Sequence, residues 1–431
     1  MCKGLAVGKS SFIALGIHGD GVPHQKNRSM EIISWNFIAN GFHRRFPAAI
    51  VEKHFCCKCG CSGRHTIEPL LEIISWSLKC LYMGRYPAKR HDESEFSGAA
   101  DKCRIATIRQ DLPSRAGLLQ IRGDWSWYKQ VFSFPSWANE EICWMCMATR
   151  GPRAPFRDFS LSAIWRQSRY RPGQLWRKMA TQGVTPSCIF SLPMVTEDMV
   201  TVDVLHAMDL GVSQDILGNL FWEMVWTPGV LGGGNQEART QALWVLVKAH
   251  YKAMKTENRL QKLTLTMIRT DSKPPKMRAK GAETRNLIPF GVEAARLLAD
   301  ARPGTRSDTI VEMVAAIFDV YMLMGLPTWY PEVAAAAARK CALLYAALSA
   351  EAVAADRDWQ WRIKPKFHMF IELMEFQSGV LGNPSTFWTY SDEAFVGWCA
   401  ELGMSRGGPK AAATAAKKVL DRFRCMEEMD D

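Results

Sequence analysis

The sequence lacks any uninterrupted apolar run approaching the roughly 18 residues that a membrane span needs. Its most alanine-rich stretch, 333–355, is broken by Arg339, Lys340, Glu351 and Asp356. Met1 to Lys9 carries no long apolar core of the signal-peptide kind, so a disulfide-forming compartment is not the default for the 13 cysteines. Gly232-Gly233-Gly234 is not followed by Gly-Lys-Ser/Thr, which excludes a phosphate loop there. Acidic residues are in deficit, 43 Asp and Glu against 54 Lys and Arg, for a net charge of +11. That balance favours an anionic partner, nucleic acid first. With 431 residues and 48% hydrophobic content, the chain can bury a sizeable core in two or three domains and is expected to be globular and soluble.

Three short apolar segments end in acidic residues. Ser11 to His18 reads as a strand delivering Asp20 through Gly19-Asp20-Gly21, and Glu31 to Ile38 as its hairpin partner across a longer loop. Gly117 to Arg122 reads as a second such strand, with Gly123-Asp124 at its end and a helix starting at Trp125. Residues 199–205 read as a further buried strand, leading into Asp203-x-x-His206 and a helix after Gly211. Each carboxylate also has a bland use: an Asp-Gly turn for Asp20, a helix cap for Asp124, and mutual satisfaction at a buried turn for Asp203 and His206. Carboxylates at corresponding ends of adjacent strands can instead share divalent ions.

The densest group of soft ligands is His54 to His65, with Cys56-x-x-Cys59 inside it; a second Cys-x-x-Cys is formed by Cys143 and Cys146. Two such pairs can close one tetrahedral zinc site, Cys56, Cys59, Cys143 and Cys146, against the alternative of reduced buried thiols. Residues 67–83 repeat apolar positions at helical spacing. Arg150 to Pro186 interleaves arginines with Trp165 and Trp176, which suits either a phosphate-tracking stretch or a connector anchored by tryptophans. The segment 39–62 reads as irregular. Helices are expected at 212–226, 236–255, 292–300, 308–325 and 331–355, with linkers at Gly232–Gly234 and Lys273–Lys280. Asp392-Glu393 opens another apolar helical face, where Glu393 is favoured by the helix dipole.

Taken in order, these features resemble the DDE transposases with an RNase H-like core, the CACTA (EnSpm) type and transposon-derived relatives in particular. The residues that carry the resemblance are His18-Gly19-Asp20-Gly21, Arg122-Gly123-Asp124-Trp125, Cys143 with Cys146, Asp203-x-x-His206 and the segment from Phe367-His368 to Glu393-Ala394-Phe395-Val396-Gly397. The resemblance implies an α/β fold whose mixed sheet core holds Asp20 and Asp124 on neighbouring strands, with a large all-α insertion before the last catalytic helix. Its domains would be 1–210, with a cysteine-rich insert at 54–65, then an insertion at 211–360 and a closing segment at 361–431. Asp20, Asp124 and Glu393 would hold two Mg²⁺ or Mn²⁺ ions, with Asp203 and His206 acting beside them. The implied function is metal-dependent DNA strand cleavage and transfer in the nucleus, with DNA as partner, homo-oligomers allowed and no membrane. So little chain precedes the first strand that a fragment, a decayed copy or a domesticated descendant is the expectation, and a non-catalytic nucleic-acid or protein-binding descendant is the alternative.

Overall fold

The computed structural model describes residues 12–26, 28–39, 44–270, 273–404 and 414–430; Ser11 and the basic Ser405-to-Lys410 flank lie outside them. The chain is a mixed α/β protein. In chain order its main elements are β1 (Phe12–Gln25), β2 (Arg28–Phe37), β3 (Phe46–Glu52), α1 (Arg64–Met83), β4 (Arg115–Gly123), α2 (Trp125–Phe132), α3 (Ser213–Trp226), α4 (Gln236–Ala253), α5 (Gly281–Ala301), α6 (Thr305–Met324), α7 (Pro331–Ala354), α8 (Pro365–Glu372), α9 (Tyr390–Gly403) and α10 (Ala415–Asp430). Two compact units result: 1–136 with 170–201 and 389–431, and 137–169 with 202–388. Residues 361–388 thus group with the helical unit, and the closing part of the first unit begins at Thr389.

The first unit is built on a four-stranded mixed sheet of order β3-β2-β1-β4. β1 pairs antiparallel with β2 and parallel with β4, in a register that sets Gly19 opposite Gly123. Two expectations change here. β1 does not end at His18 but continues through Asp20 to a tight turn, with Gln25 opposite Arg28. The 39–62 segment is not irregular throughout, because Phe46–Glu52 forms the third strand, antiparallel to β2. Pro47 sits there without breaking the sheet because β3 is an edge strand, where a missing N–H costs no ladder bond.

Residues 199–205 do not form a strand of this sheet. Glu197–Met199 is a 3₁₀ turn, Val200 makes only an isolated parallel bridge to Ile121, and the Thr201 N–H donates to the Ile121 carbonyl at 3.0 Å. The run is then diverted into helix. Asp203 accepts from the backbone N–H groups of Leu205 and His206 at 3.2 and 3.0 Å, satisfying donors that a strand would have spent on a neighbour.

Helices close the sheet. α9 and α10 bury Val396, Cys399, Ala415 and Val419 against Met30 and Ile32 of β2. Beneath α9 lies a buried polar knot, in which Arg122 of β4 donates to Asp392 through Nε at 2.9 Å and Nη2 at 3.1 Å and to Gln120 at 2.9 Å. Gly16 makes room for it: a Cβ there would stand 2.2 Å from the guanidinium. Gly19 faces the other way, since its Cβ would meet the Trp127 ring of α2 at 1.9 Å.

In the second unit α3, α5, α6, α7 and α8 pack on one another. α5 runs through Pro289, whereas the sequence places a helix only from 292, since an interior proline ordinarily marks a boundary. α7 is long and apolar enough to cross a membrane by length and composition, with mean hydropathy 1.3. Its Ala334, Ala338, Cys341, Ala342, Tyr345 and Leu348 are buried against α6 and α8, the pattern of a core helix.

Candidate active site and metal centres

Asp20 and Asp124 follow directly on the opposed glycines of two parallel, adjacent strands. Side chains alternate across a strand. Gly19 and Gly123 face Trp127, so Asp20 belongs to the opposite face, with His18. Extended backbone at Asp124 (φ −79°, ψ 165°) continues the alternation from Arg122. That shared face is the one α9 covers, and α9 is fixed there by Asp392, which both Arg122 and Arg45 grip, the latter at 2.6 Å. Glu393 comes next in the first turn of the same helix. Asp20, Asp124 and Glu393 are all partly exposed, while Asp392 is fully buried.

The carboxylates are engaged locally. Asp20 accepts from the Gly21 N–H at 2.7 Å, and Asp124 caps α2 by accepting from the Trp127 N–H at 2.6 Å. Asp20, Asp124 and Glu393 are not among the ligand groups that converge within 4.8 Å of one another in the described residues. Like charges brought closer would repel without a cation between them.

Asp203 and His206 take the bland arrangement as far as the geometry goes. The carboxylate lies 2.7 Å from His206 Nδ1 and caps the turn that follows, orienting an imidazole that keeps about a third of its surface exposed, 31%. The segment after it, Leu205–Val212, is π-helical. Both residues belong to the helical unit.

The cysteines group differently from the expected Cys56, Cys59, Cys143 and Cys146 set. Each Cys-x-x-Cys region finds partners of its own, and Cys56 belongs to neither group. Cys143, Cys146, His368 and Glu372 converge, every one fully buried. Cys146 Sγ is 3.3 Å from His368 Nε2, Cys143 Sγ is 3.8 Å from Glu372 Oε1, and the His368 and Glu372 donors are 3.5 Å apart. Ligands on a tetrahedral zinc ion with bonds of about 2.0–2.3 Å stand roughly 3.3–3.8 Å apart, so the set has the right dimensions. His368 and Glu372 are four apart on α8 and share a face. The Met145 N–H lies on Cys143 Sγ at 3.3 Å, Trp165 meets the His368 ring edge-on at 4.6 Å, and Arg169 pairs with Glu372. A divalent ion with Arg169 would balance two thiolates and one carboxylate.

Burial raises Cys143, but Cys146, His368 and the Met145 N–H outweigh it and hold this thiol well below its ordinary range. Burial and the neighbouring Cys143 push Cys146 up. Every cysteine among the described residues is a free thiol.

No protein-family model matches this chain, and no curated protein matches it either.

Two features escaped the sequence reading. His368 and Glu372 converge with a cysteine pair more than two hundred residues away, 222 in the case of Cys146 and His368; their local signal is the four-residue spacing. A cationic group, Lys276, Lys364 and Lys366, surrounds buried Asp215. Burial and the charge of Lys276 push Lys366 down to about 8. The arginines between 150 and 186 are partly spent on structure: Arg166 pairs with Glu375 and Arg169 with Glu372, and Trp165 and Trp176 are ring-packed anchors.

Proposed function

We propose that this chain is a transposon-derived DDE-type nuclease and strand-transfer protein with an RNase H-like core. The observation that carries the reading is the pairing of Gly19-Asp20 with Gly123-Asp124 at matching positions of parallel neighbouring strands, on the face to which Asp392 fixes the helix of Glu393. The first strand lying between an antiparallel second and a parallel fourth is the order such a core requires. In this reading Asp20, Asp124 and Glu393 hold two Mg²⁺ or Mn²⁺ ions: one activates water or a DNA 3′-hydroxyl and the other stabilises the leaving oxygen. Hard oxygen donors suit these ions, as sulfur donors suit zinc. The helical unit is the insertion between the second and third carboxylates, and Cys143, Cys146, His368 and Glu372 hold a structural zinc ion within it. DNA is bound through Lys and Arg, and the protein works in the nucleus.

A second reading, a binding-only descendant, is favoured by one observation: Asp20 and Asp124 are each engaged with a backbone N–H. One experiment separates the two. Wild type and Glu393→Gln are assayed for Mn²⁺-dependent nicking of supercoiled DNA, alongside a DNA-binding titration at several salt concentrations. The expected result is nicking by wild type alone, with salt-sensitive binding by both. Equal nicking by both removes Glu393 from the site, and binding without nicking by either selects the binding-only descendant.

A further inference from the structure

The loop between β3 and α1 brings three sulfurs and an imidazole nitrogen together at the surface. Cys57, Cys59, Cys61 and His65 each offer one ligand atom, and these atoms all lie within 4.8 Å of one another. Cys59 Sγ stands 3.3 Å and Cys57 Sγ 4.0 Å from His65 Nδ1. Those distances bracket the roughly 3.6 Å between sulfur and nitrogen on a tetrahedral zinc ion with bonds of about 2.3 and 2.0–2.1 Å. The three cysteines are spaced two apart through the loop, and His65 stands in the first turn of α1.

Apolar packing does not explain why this loop folds back on the helix. Phe55 is 61% exposed, and Cys59 and His65 are exposed as well. One step of the path is also costly, because Ser62 takes left-handed backbone at φ 56°, between Gly60 and Gly63, which adopt it freely at φ 95° and 87°. What closes it is polar: the Cys57 N–H donates to Thr66 Oγ1 at 2.9 Å, the Arg64 N–H to the Cys61 carbonyl at 3.0 Å, and the His65 N–H meets Cys61 Sγ at 3.5 Å. Deprotonated together, three thiolates at this spacing would repel one another, and a soft divalent ion supplies the compensating positive charge.

We propose that Cys57, Cys59, Cys61 and His65 form a second zinc-class site, with three thiolates and one imidazole, that is independent of the buried cysteine centre and staples the loop to the first turn of α1. Its exposure makes it an exchangeable site. The residues are separate from those given to catalysis, so the test does not depend on nuclease activity.

The full chain is stripped with a chelator and titrated with Zn²⁺ alone. The Cys57→Ser/Cys59→Ser variant is expected to take up one equivalent less than wild type. In a second arm on wild type, alkylation at Cys57, Cys59 and Cys61 is followed by mass spectrometry with and without Zn²⁺. Zn²⁺ is expected to slow alkylation there at least about tenfold, while Cys103 and Cys425, exposed thiols outside the cluster, keep their rates. Equal zinc uptake by variant and wild type, or loop alkylation indifferent to Zn²⁺, overturns the proposal.

Discussion

Asp124→Asn is expected to lower Mn²⁺-dependent strand cleavage by roughly 10³-fold while leaving the melting temperature within about 2 °C of wild type. The first figure follows from several kcal/mol of transition-state stabilisation by the ions; the second follows from the cap. Asp124 holds the start of α2 through the Trp127 N–H, and asparagine caps a helix about as well as aspartate. Asp124→Ala removes both roles, so it should lose the same activity together with about 1 kcal/mol of stability. Plasmid nicking and thermal unfolding of the two variants check this. If Asp124→Asn cleaves like wild type, the residue is a cap and nothing more.

Asp392→Ala is expected to be the most destabilising single change in the sheet unit, by about 3–5 kcal/mol, the range for breaking a buried pair and stranding its partner. The stranded group would be Arg122, only 1% exposed. The pair also has a pH signature. Burial alone would raise Asp392, but Arg122, with His18 and Arg45, outweighs it and holds the carboxyl well below the usual carboxylate range. A depressed carboxylate contributes stability that is present in full above its unfolded value of about 3.9 and is lost as the pH falls through the lower folded value. The gap between wild type and Asp392→Ala should therefore be full at pH 7 and shrink below about pH 4. Denaturant unfolding at pH 7 and pH 3 measures it. A gap under about 1 kcal/mol at pH 7 would show that the knot does not hold α9, and with it Glu393, on the sheet.

The parts of the sheet that could be read from sequence were those where one signal acted alone. The apolar runs before Gly19-Asp20 and Gly123-Asp124 were legible as strands, although β1 continues past Asp20, and the register sets Gly19 opposite Gly123. β3 was hidden because Pro47 and the preceding arginines argue against a strand, and only its edge position makes them harmless. Val200 to Leu205 has the apolar character of a strand, yet Asp203 captures the next two N–H groups and starts a helix instead. The cysteine pair at 143 and 146 was legible as half of a cluster that could hold a metal, though with Cys56 and Cys59 as the expected other half. Its other half was not, because the pairing of α8 with that loop is decided by tertiary packing rather than by any local spacing. In the 54–65 cluster the Cys-x-x-Cys pattern pointed to Cys56 and Cys59, whereas left-handed turns at Gly60 and Ser62 bring Cys57, Cys59 and Cys61 together. The buried Arg122–Asp392 pair had no sequence signal at all, since its members are 270 residues apart.

In the proposed function, Asp20, Asp124 and Glu393 form one divalent-metal centre. It is tested most directly by anomalous scattering from crystals of the protein grown with Mn²⁺. The expected result is two Mn²⁺ peaks about 3.5–4 Å apart, held by the carboxylates of Asp20, Asp124 and Glu393. A map with no Mn²⁺ beside Asp20 and Asp124 at saturating metal would contradict it.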